Sequence, residues 1–271
     1  MPRIPLEDEY LDILSKAQRG LGFSDEELIA KSGVSAGELE HVRGGDPAAP
    51  ALPALASALG LGPVSLVVAA HKSWYPEAVE VEGLAQFNTT FEDMTVNAYL
   101  CWDPVSRDAV VFDTGADASG LLAFANEKGL HIRLILLTHT HPDHIADLAR
   151  LISRTAAPVW VNEHEAIPGA ETFTEGKTFM VGGLKIGSRL TCGHSVGGIT
   201  FVVDGLSTPL AIVGDAIFAG SMGGGKISYP DALRTNQSEI FSLPDETILA
   251  SGHGPLTTLA EQKQHNPFFA L

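Results

Sequence analysis

Cysteine is scarce in this chain. Cys101 and Cys192 are the only two among 271 residues, too few and too far apart to make a disulfide framework. That scarcity suggests a reducing compartment. Positive charge is also in short supply, with 17 Lys and Arg against 33 Asp and Glu and a formal net charge of −16. Phosphate binding needs a basic face, so the charge argues against general nucleic-acid affinity. No apolar run of spanning length survives inspection. The nearest, Ala48 to Ala70, is broken by Pro50, Pro53, Gly60, Gly62 and Pro63. Met1 to Tyr10 is charged and lacks an apolar core, so no secretory leader and no membrane partner are expected. A soluble, cytoplasmic protein is the expectation. Internal repeats and low-complexity tracts are absent, and Gly223-Gly224-Gly225 reads as a short flexible loop. What is present is 45% hydrophobic residues, enough for one large core plus a small module.

Histidine is concentrated rather than abundant. His139-Thr140-His141-Pro142-Asp143-His144 places three imidazoles and one carboxylate in six positions, directly after the apolar run Ile132 to Leu137. That run reads as a buried strand. It delivers nitrogen and oxygen donors to its C-terminal end, where open α/β sheets bind ligands. Such donors suit zinc, iron(II) and manganese(II). In an extended chain, side chains two apart point the same way, so His139 and His141 can grip one ion. Asp143 and His144 lie past Pro142, where a helix is expected to begin, and can face a second ion.

Three further segments end on donors. Leu184 to Leu190 leads into Thr191-Cys192-Gly193-His194-Ser195, Ala211 to Gly214 into Asp215, and Leu249 to Ser251 into Gly252-His253-Gly254. Each donor stands at a strand end beside a glycine, where backbone can approach an ion closely.

The order HxHxDH, His, Asp, His resembles the metallo-β-lactamase superfamily over about residues 78 to 271. The resemblance implies an α/β fold, the four-layered αββα sandwich, with a dinuclear site at one edge between the sheets. It implies that His139, His141 and His194 hold the first metal, that Asp143, His144 and His253 hold the second, and that Asp215 bridges them. The implied cofactors are two divalent ions, zinc first, with iron or manganese as alternatives. Within the superfamily, Gly252 to Thr258 followed by Asn266-Pro267-Phe268 looks like the GHGPxTT and NPF ending of glyoxalase II-like hydrolases. Thr191 to Ile199 and Gly214 to Gly224 look like two more segments of that family. Cys192 departs from the family's proline and Gly224 from its arginine, with Lys226 two residues on. The chain also ends soon after His253, where full glyoxalase II enzymes carry a helical domain that holds glutathione.

The first seventy residues are of another kind. Helices are expected over Leu11–Arg19, Asp25–Lys31, Ala36–Arg43, Leu52–Leu59 and Val64–Ala70. Ser24 and Glu27 form a capping box, and Ser32-Gly33-Val34-Ser35 is a tight turn. Residues 9 to 70 resemble the helix-turn-helix module of the Cro/CI repressor family, carried by Ala30 to Ser35 and Val42-Arg43-Gly44. The helix that would enter the major groove bears Glu38, Glu40 and His41 with one firm cation, Arg43. Residues 1 to 75 hold six Lys and Arg against ten Asp and Glu. DNA as a partner is therefore disfavoured, and packing or homodimerisation through the module is the preferred role. The division expected is a helical module over 1–72 and a catalytic domain over 73–271, joined by a linker near His71 to Ala78. Strands are expected over Val79–Glu82, Val96–Trp102 and Ala109–Phe112, then a turn at Asp113-Thr114-Gly115 and a helix over Leu121–Lys128.

The chemistry implied is hydrolysis. A hydroxide shared between two metals would attack a thioester or ester carbonyl of a small-molecule substrate. Asp143 and Asp215 would orient it, and neither Ser195 nor Cys192 is needed as a nucleophile. Lys226 and Tyr229 are candidate substrate contacts. His164 is expected to start a helix rather than bind metal. Three alternatives stay open: a lactonase, to which Gly214-Asp215-Ala216 is a pointer, an iron-dependent persulfide dioxygenase, and a metal-sensing DNA-binding regulator.

Overall fold

The computed structural model describes residues 3–270, so the first two residues of the charged N-terminal stretch lie outside it. Five helices come first: α1 (Tyr10–Leu21), α2 (Asp25–Ser32), α3 (Ala36–Arg43), α4 (Leu52–Ala58) and α5 (Pro63–Ala70). Ser24 caps α2 and Ser35 caps α3, each in a reciprocal box with the Glu three residues on. Gly33 takes the left-handed geometry expected of the turn between them, with φ +70°.

Two six-stranded sheets follow. The first runs in the order β1 (Leu84–Phe91), β2 (Met94–Trp102), β3 (Asp108–Phe112), β4 (His131–Leu136), β5 (Val159–Asn162) and β6 (Glu171–Phe173). Helices α6 (Ser119–Glu127), α7 (Pro142–Ile145) and α8 (Leu148–Thr155) are threaded through it. The second sheet is ordered β12 (Thr257–Thr258), β11 (Ile248–Ser251), β10 (Leu210–Gly214), β9 (Ile199–Asp204), β8 (Leu184–Leu190) and β7 (Thr178–Val181). Helix α9 (Tyr229–Thr235) precedes β11, and α10 (Leu259–His265) closes the chain.

One expected strand is corrected. Val79–Glu82 joins neither ladder, and the first strand is Leu84–Phe91, hairpinned to β2 from Phe91↔Met94 to Leu84↔Cys101. Its burial is intermediate at seven of eight positions, so it shows no alternation to betray it. Its two-residue turn is Glu92-Asp93, with Glu92 at φ +53°, rather than a glycine-bearing pair.

Three apolar clusters define the layers. Phe112, Leu136, Phe201 and Ile212 pack between the sheets. Leu121 of α6 and Leu151 of α8 cover the outer face of the first sheet with Val111 and Ile135. The outer face of the second sheet, through Ala211, Val213 and Leu249, shares one continuous cluster with α9, α10 and the N-terminal helices. Burial thus runs unbroken across the 72/73 boundary. Asn266-Pro267-Phe268 sits in this seam: Phe268 is buried, the Pro267 carbonyl accepts from the Gly62 N–H at 2.7 Å, and Asn266 Nδ2 donates to the Ser221 carbonyl at 2.6 Å. No described helix is long and apolar enough to cross a membrane.

Candidate metal centre

Strand ends at one rim of the sandwich supply every expected donor. His139, His141, Asp143 and His144 follow β4, His194 follows β8, Asp215 follows β10, and His253 follows β11. The parallel pairing of β3 with β4 and of β10 with β11 points those ends the same way. Gly252 is required here because the backbone runs against the donors. A Cβ at that position would lie 2.1 Å from Asp215 Oδ1 and 2.6 Å from His144 Cε1.

The donors fall into two groups, His139, His141, His194 and Asp215 in one and Asp143, His144 and His253 in the other. His141 Nδ1 lies 3.0 Å from Nε2 of both His139 and His194. Asp215 Oδ2 is 3.2 Å from His194 Nε2 and 3.4 Å from His253 Nε2, while its Oδ1 is 3.2 Å from His144 Nε2. Asp215 therefore touches both groups. Donors bound at about 2.0–2.1 Å in a tetrahedron would be roughly 3.3 Å apart, close to the spacings of 3.0–3.4 Å seen here. His144 Nε2 and Asp215 Oδ1 are buried, face each other at 3.2 Å and have no other polar partner. A cation held between them would engage both.

The other ring nitrogens of His253, His194 and His144 are hydrogen-bonded elsewhere, which fixes their tautomers. His253 Nδ1 donates to the Thr95 carbonyl at 2.6 Å and His194 Nδ1 to the Gly224 carbonyl at 3.1 Å. His144 Nδ1 donates to Asp113 Oδ2 at 2.8 Å. Asp113 also accepts from the Thr138 N–H at 2.8 Å and from its hydroxyl at 2.7 Å. On the far side, Asn97 Nδ2 donates to the Ser251 and Gly254 carbonyls at 2.9 and 2.8 Å and so pins the His253 loop to β2.

Electrostatics separates the two groups. Burial pushes His139 well down and His194 down to about 4, leaving their imidazoles neutral and able to ligate at pH 7. Burial also works against charge on His144 and His253. There the Asp215 carboxylate, with Asp113 for His144 and Asp143 for His253, outweighs it and pushes them up to about 10 and about 11. Asp215 itself is held far below the usual carboxylate range, because its imidazole neighbours His253, His144 and His194 overcome its burial. The second group thus attracts positive charge, in the form of protons or of a metal ion.

Lys226 lines a cavity of about 470 Å³ together with His194, Asp215 and His253. Tyr229 is not among its lining residues. It is 5% exposed and packs against α1 and Phe268, because it opens α9 on the side facing the N-terminal helices. It packs beneath Gly20 and Gly225, which do line the cavity. His164 is exposed in a 3₁₀ turn, Glu163–Glu165, capped by the Asn162 side chain. Both cysteines are free, Cys101 buried and Cys192 half-buried. A larger cleft of about 800 Å³ lies between α6 and α8 and shares no residue with the donors.

Asp113, Thr138, Thr95 and Asn97 are supporting residues not singled out from the sequence. Asp113 had a signal: Ala109 to Phe112 is an apolar strand ending on an acid two residues before a glycine, much as Ala211 to Gly214 ends on Asp215.

Residues 92–253 match the Metallo-beta-lactamase superfamily. The probable metallo-hydrolase YqgX of Bacillus subtilis is 30% identical over 199 residues, covering 64% of this chain and 91% of that protein. Hydroxyacylglutathione hydrolase GloC of Haemophilus influenzae is 26% identical over 197 residues, 64% of this chain and 92% of its own. Among solved structures, TTHA1623 in a di-iron-bound form superposes with a TM-score of 0.55 at 29% identity, covering 67% of this chain and 99% of that one. The family match spans more than half of the chain and takes in all seven donors, so this chain belongs to the metallo-beta-lactamase superfamily, among relatives named metallo-hydrolase and hydroxyacylglutathione hydrolase.

Proposed function

We propose that the chain is a metal-dependent hydrolase acting on thioesters or esters in the manner of glyoxalase II, with two divalent ions, zinc first, as its cofactors. The observation that carries this reading is the paired donor set joined by Asp215, whose two oxygens face donors of both groups. Bound there, divalent ions would supply Lewis acidity toward a carbonyl oxygen and a water acidic enough to react near neutral pH.

The residues of the chain do the rest. His139, His141 and His194 present unprotonated nitrogens. Asp143 Oδ2 lies 3.3 Å from His253 Nε2 and 3.4 Å from His144 Nε2, so it would share an ion with them and could orient a water held there. Asp215 holds the two groups at one separation. Lys226 brings a cation to the cavity, suited to an acidic substrate. Side-chain nucleophiles have no part in it, and burial pushes the Cys192 thiol up, away from the reactive thiolate.

Asp215→Ala tests the reading. The variant is expected to lose both metal and hydrolysis across a panel of thioesters, esters and lactones while its far-ultraviolet dichroism stays native. Full activity would reject the two-metal mechanism. Metal analysis of the purified protein adds a second criterion: one iron per chain with oxygen consumption would replace the hydrolase by an oxygenase.

A further inference from the structure

We propose that helix α1 of the N-terminal bundle forms a wall of the reaction cavity and that Arg19 on it, together with Lys226, binds an anionic group, carboxylate or phosphate, carried by the substrate away from the scissile carbonyl. The identity of the reacting end rests on the hydrolase reading above, whereas the cavity and its lining do not. The cavity that contains His194, Asp215 and His253 is also lined by Lys16 and Arg19 of α1. The wall is bonded in place. Lys16 Nζ is salt-bridged to Asp8 and donates to the Met222 carbonyl at 2.9 Å, and Ser221 Oγ donates to the same Asp8 carboxylate at 2.5 Å. Ser221 and Met222 lead directly into the glycine loop whose Gly224 carbonyl holds His194. The N-terminal helices thus reach the metal donors through four consecutive loop residues.

The charges around the cavity are unequally engaged. Lys16 is neutralised by Asp8. Glu7 lies beside His253, with Oε2 3.9 Å from Nδ1. Arg19 bonds only the Ser15 hydroxyl, at 2.6 Å, and neither it nor Lys226 has a carboxylate partner among the described residues. Two uncommitted cations on different elements facing one cavity suit an anion between them. Arg43, by contrast, is committed to Asp25 through two contacts of 2.6 Å and to Gln18 at 3.0 Å. The bundle therefore turns free positive charge toward the cavity, while the firm cation of α3 is already paired.

The test uses the full-length metal-loaded protein and matched thioesters ending in a carboxylate, a phosphate or a neutral amide. Arg19→Ala is expected to raise KM for one of the anionic substrates about tenfold more than for the amide, with Arg19→Lys recovering most of the loss. Arg19 is exposed and bonds only its own helix, so the fold is not at stake. Non-hydrolysable thioethers bearing the same three ends, titrated by calorimetry, give a readout independent of turnover. Selective loss of the carboxylate or phosphate thioether in Arg19→Ala supports the proposal, even if no thioester is hydrolysed, an outcome that would remove the hydrolase reading alone. Equal losses for all three ends, no loss for any, or no thioether binding to the wild-type protein would overturn it.

Discussion

Asp113→Asn is a one-atom change with a directional consequence. Asp113 has a 4% exposed side chain and accepts three hydrogen bonds. Thr138 N–H donates to Oδ1, and the Thr138 hydroxyl and His144 Nδ1 donate to Oδ2. Asparagine offers one acceptor oxygen and one NH2. If its oxygen takes the Thr138 N–H, its NH2 faces His144 Nδ1 and forces that ring to carry its proton on Nε2. The Nε2 atom is the one turned toward Asp143 and Asp215, 3.4 and 3.2 Å away, and once protonated it can no longer ligate. In the flipped orientation two N–H donors meet. Loss of such a support typically costs 10–100-fold in metal affinity, or about 1.4–2.8 kcal/mol. Zinc titration against a chromophoric chelator should show the second equivalent weakened by that factor and the first changed much less. Thr138→Val is the control: it removes the hydroxyl's bond to the Asp113 carboxylate, worth about 1.5–3 kcal/mol, and its 3.1 Å contact with His139 Nδ1 in the first group, but leaves the His144 tautomer alone. The reasoning is refuted if Asp113→Asn binds two ions with wild-type affinity, or if Thr138→Val weakens the second site as much.

Gly20→Ala should destabilise the chain even though alanine favours helix by about 1 kcal/mol, since a Cβ there would lie 2.2 Å from Tyr229 Cγ and overpacking costs about 1–3 kcal/mol. Urea midpoints measure the net, and a stabilised variant would mean that α1 is not seated on α9. Burial pushes the Cys101 thiol up to about 12 from an ordinary 9.0. The folded thiol therefore stays protonated while the unfolded one ionises, so stability should fall as pH rises from 9 toward 12 and be unaffected by this group below 9. Iodoacetamide at pH 8 followed by mass mapping should label Cys192 before Cys101, and the reverse order would contradict the burial of Cys101.

The donors were legible because metal chemistry restricts residue types and strand ends restrict their positions. That His139 to His144, His194, Asp215 and His253 belong together rested on their order along the chain, which resembles that of the superfamily. The helical module was legible for another reason: Ser24 with Glu27, and the Gly33 turn, are local signals that act within a few residues. Long-range juxtaposition was not legible. Nothing around Lys16 or Arg19 announces a cavity shared with residues two hundred positions later, and Tyr229 looked like a loop residue because its partner Gly20 is equally remote. Strand β1 escaped notice because its half-buried face leaves no period-two pattern. Those local signals predicted the five helices at their places, but the surface the helices present to the cavity depends on docking, which local pattern does not encode.

The division of labour between chain segments has an evolutionary corollary. All seven donors come from residues 139 to 253, whereas one side of the cavity comes from residues 7 to 20. If α1 lines the reaction cavity as proposed, changes at its exposed Arg19, which bonds only Ser15, could retune which molecules are admitted while all seven donors stay as they are.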